Sequence, residues 1–387
     1  MKTTRRGAVA GLVAAGALNT MIPGRSAQAA PRDYRGPNVV IVRFGGGVRR
    51  RETIEAAHSY APRLLHRLAP RGVLIPDLRI EQLDGVDTSH AEGTLNILTG
   101  RYRAYRPGPA RTVIPRLEPT EPTLFEMLRR AYDIPAHQTL LINGEDRPQE
   151  EYFAYGVHRN HGVAYRSEVL SLHRFKLWRL RETLAEGRGA EAELTRARDA
   201  LARLERQSRG GAPKQSAEID ALWRRWRAVY GEDGLRNPRG DRALTELALW
   251  ALRLLRPRLM MINYQDPDYV HWGNPSHYTR AIAGIDADLA RLAAAVDADE
   301  GYRDNTLFCV VPDCGRDANP LMEVPFQHHF NSRSAHEIWA LFFGPGITRG
   351  RVLDRPVDQT AIAPTLAAAM GAAAPRAEHA PLSELFA

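Results

Sequence analysis

Apolar residues along this chain fall into two rhythms. Short unbroken runs, Asn38-Val-Val-Ile-Val42, Val73-Leu-Ile-Pro76, Gln138-Thr-Leu-Leu-Ile-Asn143, Leu259-Met-Met-Ile-Asn263 and Thr306-Leu-Phe-Cys-Val-Val311, have the length and side chains of strands covered on both faces. Trp339-Ala-Leu-Phe-Phe343 reads as one more. Between them, residues 59–68, 123–132, 241–255, 278–296 and 359–370 space their apolar positions three and four apart, as a helix with one buried face requires. Ile282, Ile285, Leu289, Leu292 and Val296 make one such face. Strands alternating with helices predict an α/β three-layer sandwich with a mostly parallel central sheet.

Residues of about 165–235 break the rhythm. The segment is dense in charge, and Leu177, Leu180 and Leu184, then Leu194, Ala197, Leu201 and Leu204, keep helical spacing on either side of Gly187-Arg-Gly189. It reads as an inserted helical hairpin, either a cap over the site or a solvated decoration, with Trp178, Trp223 and Trp226 as packing residues. The remainder, 30–387, reads as one large α/β domain.

Residues 1–29 have the pattern of a signal peptide: a basic opening, an apolar run from Ala8 to Leu18, and Ala27-Gln28-Ala29 as a cleavage site. Thr4-Arg5-Arg6 is similar to a twin-arginine signal, so the twin-arginine export machinery is an expected partner and the periplasm or the exterior the expected location. No membrane insertion is expected of the mature chain. Lys2, Arg5, Arg6 and Arg25 have no acidic counterpart there, so half of the formal charge of +8 belongs to this segment. The near balance of what remains argues against a nucleic-acid partner. Cys309 and Cys314, five residues apart across a strand end, point away from each other and are not expected to pair.

Chemistry gathers after the strands, where open α/β sheets bind ligands. Tyr264-Gln-Asp-Pro-Asp-Tyr-Val-His271 offers Asp266, Asp268 and His271; Pro312-Asp-Cys-Gly-Arg-Asp317 offers Asp313, Cys314 and Asp317; Gln327-His-His329 offers His328 and His329, with His336 further on. Carboxylates and imidazoles at separate strand ends suit a divalent cation, Zn, Mn, Fe or Ca, and a thiolate shifts the preference toward Zn or Fe. Arg43, closing the first strand, reads as an ordinary strand-end ion pair, or as placed to hold an anionic group or to stand in for a cation's charge. Gly45-Gly-Gly47 reads as a permissive turn or an anion-binding nest, and His158 and His161 as an exposed loop or part of a cleft.

In the order and spacing of its pieces the chain resembles the alkaline phosphatase-like superfamily, which includes sulfatases and phosphodiesterases. The resemblance covers most of residues 38–372 and rests on the first strand with its glycine turn, Asn96-Ile-Leu-Thr-Gly-Arg-Tyr102, Pro122-Thr-Leu-Phe-Glu-Met-Leu128, the Asp/His loop, Val311-Pro-Asp-Cys-Gly315 and Phe343-Gly-Pro-Gly-Ile347. It implies a hydrolase in which two cations clamp a phosphate or sulfate ester. The Asp that the resemblance puts after the first strand falls on Gly45 or Gly46, and the Asp-His pair of the later strand end reads Asp313-Cys314. The nucleophile position falls on His90, with Ser89 and Thr88 one and two places away; His90 is then a ligand, a general base or a phosphorylated nucleophile. Asp266 or Asp268 joins His271, and the last His is His328 or His329. The expectation is an exported hydrolase of small anionic esters with an altered, mononuclear centre, Zn first among cations. The alternative is a non-catalytic binding or structural protein on the same fold.

Overall fold

The computed structural model describes residues 32–84, 86–108, 116–232, 234, 240–272, 275–317, 327–328 and 332–387. The export signal and His329 fall outside the described residues.

The strands are β1 (Asn38–Arg43), β2 (Gly72–Arg79), β3 (Tyr105–Pro107), β4 (Leu117–Pro119), β5 (Thr139–Ile142), β6 (Glu168–Leu170), β7 (Leu259–Asn263), β8 (Thr306–Val311), β9 (Glu337–Phe343), β10 (Arg351–Val352) and β11 (Val357–Asp358). The helices are α1 (Arg50–Thr53), α2 (His90–Thr99), α3 (Leu124–Ala131), α4 (Leu172–Glu186), α5 (Glu191–Gln207), α6 (Ala217–Tyr230), α7 (Asp241–Leu254), α8 (Pro275–Ala298), α9 (Arg333–His336) and α10 (Ile362–Ala369).

The main sheet runs β10-β2-β9-β8-β1-β7-β5-β6, with β11 also on β2. Pairing is parallel except around β9, which is antiparallel to both β8 and β2. Every residue of β1 is buried, and its side chains alternate between the two faces. Val39 and Ile41 join Leu95, Phe125 and Leu366 from α2, α3 and α10; Val40 and Val42 join Phe175, Leu247 and Ile282 from α4, α7 and α8. Burial on both sides explains the unbroken apolar run, each such side chain contributing roughly 1.5–3 kcal/mol. The result is a three-layer α/β sandwich.

Two details depart from the periodicity. Residues 59–68 do not make an α-helix: one π-type turn covers Leu64–Leu68 and a 3-10 turn covers Ala69–Arg71. Pro62 and Pro70 limit the helix, and Asp286 of α8 accepts the N–H groups of Arg63 (3.1 Å) and Leu64 (2.7 Å). The segment 165–235 opens with β6 at the sheet edge, and α4, α5 and α6 follow. Gly187 at φ 61° ends α4 where the glycine pair stood in the sequence. Trp223 and Trp226 are fully buried and Trp178 nearly so. Cys309 and Cys314 are both buried and unbonded.

Candidate functional site

The parallel strands β8, β1 and β7 are neighbours, so the segments leaving their carboxyl ends meet. From β1 come Arg43 and the glycine turn, from β7 the 3-10 turn Asp266–Trp272, and from β8 Asp313, Cys314 and Arg316. Helix α2 enters from the opposite side, with Ser89 as its N-cap accepting the Glu92 N–H at 3.2 Å. Gly100, at φ 70°, closes this helix, which accounts for the Thr99-Gly100 pair. Gly93 lets α2 come close: a Cβ there would lie 2.0 Å from the Asp313 carbonyl oxygen.

His90 opens α2 and bridges two carboxylates. Its Nδ1 is 2.9 Å from Asp313 Oδ2, and its Nε2 is 3.0 Å from Asp268 Oδ1. The second contact lies off the hydrogen-bonding direction, which leaves this buried Nε2 without a hydrogen-bond partner among the described residues. His328 is fully buried; its Nδ1 donates to the Thr88 carbonyl at 2.7 Å, and its Nε2 is 3.5 Å from Asp268 Oδ1. His271 Nε2 is 2.9 Å from the same oxygen. Three imidazoles thus converge on one carboxylate oxygen.

Asp313 completes the arrangement from beneath. Its Oδ1 accepts the N–H groups of Gly47 (3.3 Å) and Cys314 (2.9 Å), which fixes the carboxylate that orients His90. Burial opposes the charged imidazole of His90, but Asp268 and Asp313 outweigh it and hold its pKa well above the ordinary value. In turn, burial would raise both carboxyls, and His90 above all drives them below the carboxylate range. Burial, aided by Asp313, pushes the Cys314 thiol up to about 11.

Of the two aspartates open to choice, Asp268 is in the cluster and Asp266 is not. Asp266 accepts the Asp241 N–H at 3.1 Å, while Asp241 accepts the N–H groups of Gln265 and Asp266, both at 2.8 Å. This exchange ties the turn to the start of α7. Asp317 and His336 also lie elsewhere, on Ser332 and on the Ile80 carbonyl. His158 and His161 meet edge to face, with Arg130 beside His161.

Three side chains of the site escape sequence reasoning. Arg316 is fully buried, donates to the Gly46 and Gly47 carbonyls, and reaches Asp268 Oδ1 at 2.6 Å. Arg147 holds the other oxygen of Asp268 at 2.9 Å. Glu150 pairs with Arg43 at 2.8 Å, and Arg43 Nε stands 3.6 Å from Asp313. In so arginine-rich a chain no single arginine carries a signal beyond its place after a strand. The glycine turn has no room for the carboxylate the resemblance puts there. A Cβ on Gly45 would lie 2.1 Å from the Tyr264 carbonyl oxygen, and Gly46 and Gly47 hold φ values of 81° and 63°.

No family model matches the chain, and no curated protein matches it in sequence. Solved structures do match its shape. The chain is similar to the alkaline phosphatase PafA at 13% identity and a TM-score of 0.55, with 93% of this chain and 100% of that one covered. It is similar to BT1596, a 2-O GAG sulfatase, at 12% identity and a TM-score of 0.53, covering 91% and 74%. The lipoteichoic acid synthase LtaP from Listeria monocytogenes follows at 11% identity and a TM-score of 0.51, covering 88% and 73%. The fold is therefore that of the alkaline phosphatase-like proteins. No helix among the described residues is long and apolar enough to cross a membrane.

Proposed function

We propose that this chain is a hydrolase of phosphate or sulfate esters that works with one divalent cation, held by His90, Asp268 and His328 with His271 beside them. The observation behind this reading is the tethering of two imidazoles. His90 and His328 each give their Nδ1 hydrogen to a fixed acceptor, Asp313 and the Thr88 carbonyl, which turns both Nε2 atoms toward Asp268 Oδ1. Zinc ligands are oriented in this way, one ring nitrogen anchored and the other presented. Two imidazoles and a carboxylate suit zinc better than calcium, and the three donor atoms lie within 4.8 Å of one another. Proton and cation compete for His90 Nε2, because a ligand nitrogen must be deprotonated.

The second group of donors, His90, Asp313 and Cys314, does not fit a second cation. The Arg43 guanidinium already faces Asp313, and the His90 Nδ1 that this group would offer is taken up by its hydrogen bond to Asp313. A cation in the first group would supply Lewis-acid polarisation of an ester oxygen and activation of a water. The chain's own residues supply the remainder. Asp313 fixes the His90 ring, while Arg147 and Arg316 hold both oxygens of Asp268 and bring positive charge toward an anionic ester. Ser89 Oγ accepts the Glu92 N–H as a helix cap, and this reading takes water as the attacking group. The setting is outside the cytoplasm, after export by the twin-arginine route, with a small anionic ester and no nucleic acid as partner.

One observation favours the alternative, a binding protein without turnover: Arg316 and Arg147 already balance Asp268. Elemental analysis of the purified protein, with a screen of aryl phosphates, phosphodiesters and sulfates, separates the two. The hydrolase retains about one equivalent of metal per chain, and His328→Ala loses metal and turnover together. Absence of both metal and turnover after incubation with Zn, Mn and Ca leaves the binding protein.

A further inference from the structure

Next to Asp268, the ends of β5 and β7 and the residues that follow them border a cavity of about 450 Å³. Asn143, Asp146, Gln265 and Tyr269 line it from the sheet side, and Leu172 and Leu204 from the inserted helices α4 and α5. Tyr269 belongs to the turn that carries Asp268 and His271, so the wall runs from beside the candidate metal ligands, none of which lines it, to the part of the chain that interrupts the fold.

Two side chains buried by more than nine-tenths leave polar atoms unmatched there: Asn143 is 1% exposed and Gln265 5%. Gln265 Nε2 donates to Asp146 Oδ1 at 2.9 Å, which sets the orientation of the amide and leaves its Oε1 without a partner among the described residues. Asn263 Nδ2 donates to Asn143 Oδ1 at 2.8 Å, leaving Asn143 Nδ2 and Asn263 Oδ1 unmatched among the described residues. Of these groups the cavity wall carries the Asn143 NH₂ and the Gln265 carbonyl. Buried amides left in this state cost stability, and such groups ordinarily find a partner.

The partner must donate and accept within a small space, and a hydroxyl does both. The acidic groups of the wall are already engaged, Glu145 by Lys176, and Asp146 by Gln265 and by Tyr269 Oη at 3.2 Å. A neutral ligand is therefore favoured over a cationic one. Leu172, Leu204 and Leu244 would cover the carbon skeleton of such a group.

We propose that this cavity binds the alcohol side of the ester, a neutral group carrying several hydroxyls, such as one sugar ring or a polyol. The substrate role rests on the hydrolase reading, whereas the binding itself does not. The experiment has two arms, each on the whole protein and on two variants, Asn143→Ala at the strand end and Leu204→Trp on the far wall. The first arm measures binding of free glucose and myo-inositol by saturation-transfer NMR. The second compares kcat/KM for glucose 6-phosphate and 6-sulfate with that for the 4-nitrophenyl esters. We expect binding in the wild type and its loss in both variants, with the ratio of hexose to aryl kcat/KM falling about tenfold. Sugar binding without turnover of any ester retains the cavity assignment and removes the hydrolase. Turnover of aryl esters without sugar binding, or with an unchanged ratio in both variants, overturns the cavity assignment and retains the hydrolase.

Discussion

Arg43 is the residue on which the site's charge turns. Its guanidinium is 1% exposed, bonded to Glu150 and to Thr94 Oγ1 at 2.9 Å, and close to Asp313. Removing one partner of such a pair leaves a buried charge uncompensated, so Arg43→Met is expected to cost about 3–5 kcal/mol in urea denaturation. The double variant with Glu150→Leu recovers part of that loss. His161 gives a prediction on pH. Burial first, then Arg130 and His158, lowers its pKa from 6.5 to about 4. The unfolded chain therefore takes up this proton at a higher pH than the folded one. The contribution is complete above 6.5 and is lost as pH falls toward 4. His161→Gln is expected to lose less stability than the wild type over that interval, read as thermal midpoints at successive pH values. Residue by residue, Asp268 and His328 were legible as carboxylate and imidazole groups after strands, with Asp266 and His329 left beside them as alternatives, and His90 only through the resemblance. Arg316 and Arg147 were not, because nothing local separates a buried arginine from the many on the surface.

Helix α2 shows what an element adds. It delivers His90 to Asp313 because Gly93 allows backbone contact with the end of β8. Gly93→Ala is expected to push the helix outward, lowering the melting temperature and weakening zinc uptake in a competition titration with a chromogenic chelator. A variant that melts lower yet binds zinc as well as the wild type would separate packing from positioning. The long helices and buried strands could be read from periodicity, since each shows its pattern over several turns or a full run of apolar residues. β6, β10 and β11 could not: two or three residues carry no period, and their pairing depends on distant partners. Residues 59–68 misled for a similar reason, because their conformation depends on Asp286 from another helix.

At the scale of the whole molecule, the strand order is the part least visible in advance. Nothing local to Trp339-Ala-Leu-Phe-Phe343 says that β9 runs against both of its neighbours. That order brings His90, Asp268 and His328 together from points far apart in the sequence. A cation bound by all three cross-links the folded state alone, so zinc at about 100 times its dissociation constant should add about 2.7 kcal/mol. Differential scanning calorimetry with and without zinc reads this as a raised melting temperature. His328→Ala should show no such rise, and an equal rise in both proteins would point to binding elsewhere.

The three guanidiniums beside Asp313 and Asp268, those of Arg43, Arg147 and Arg316, set a lasting asymmetry. Arginine keeps its proton across the physiological range, and no chelator can withdraw it. Part of the positive field at this crevice is therefore written into translation itself, and only the portion that the proposed cation would bring through the imidazoles would answer to the mineral supply of the surroundings.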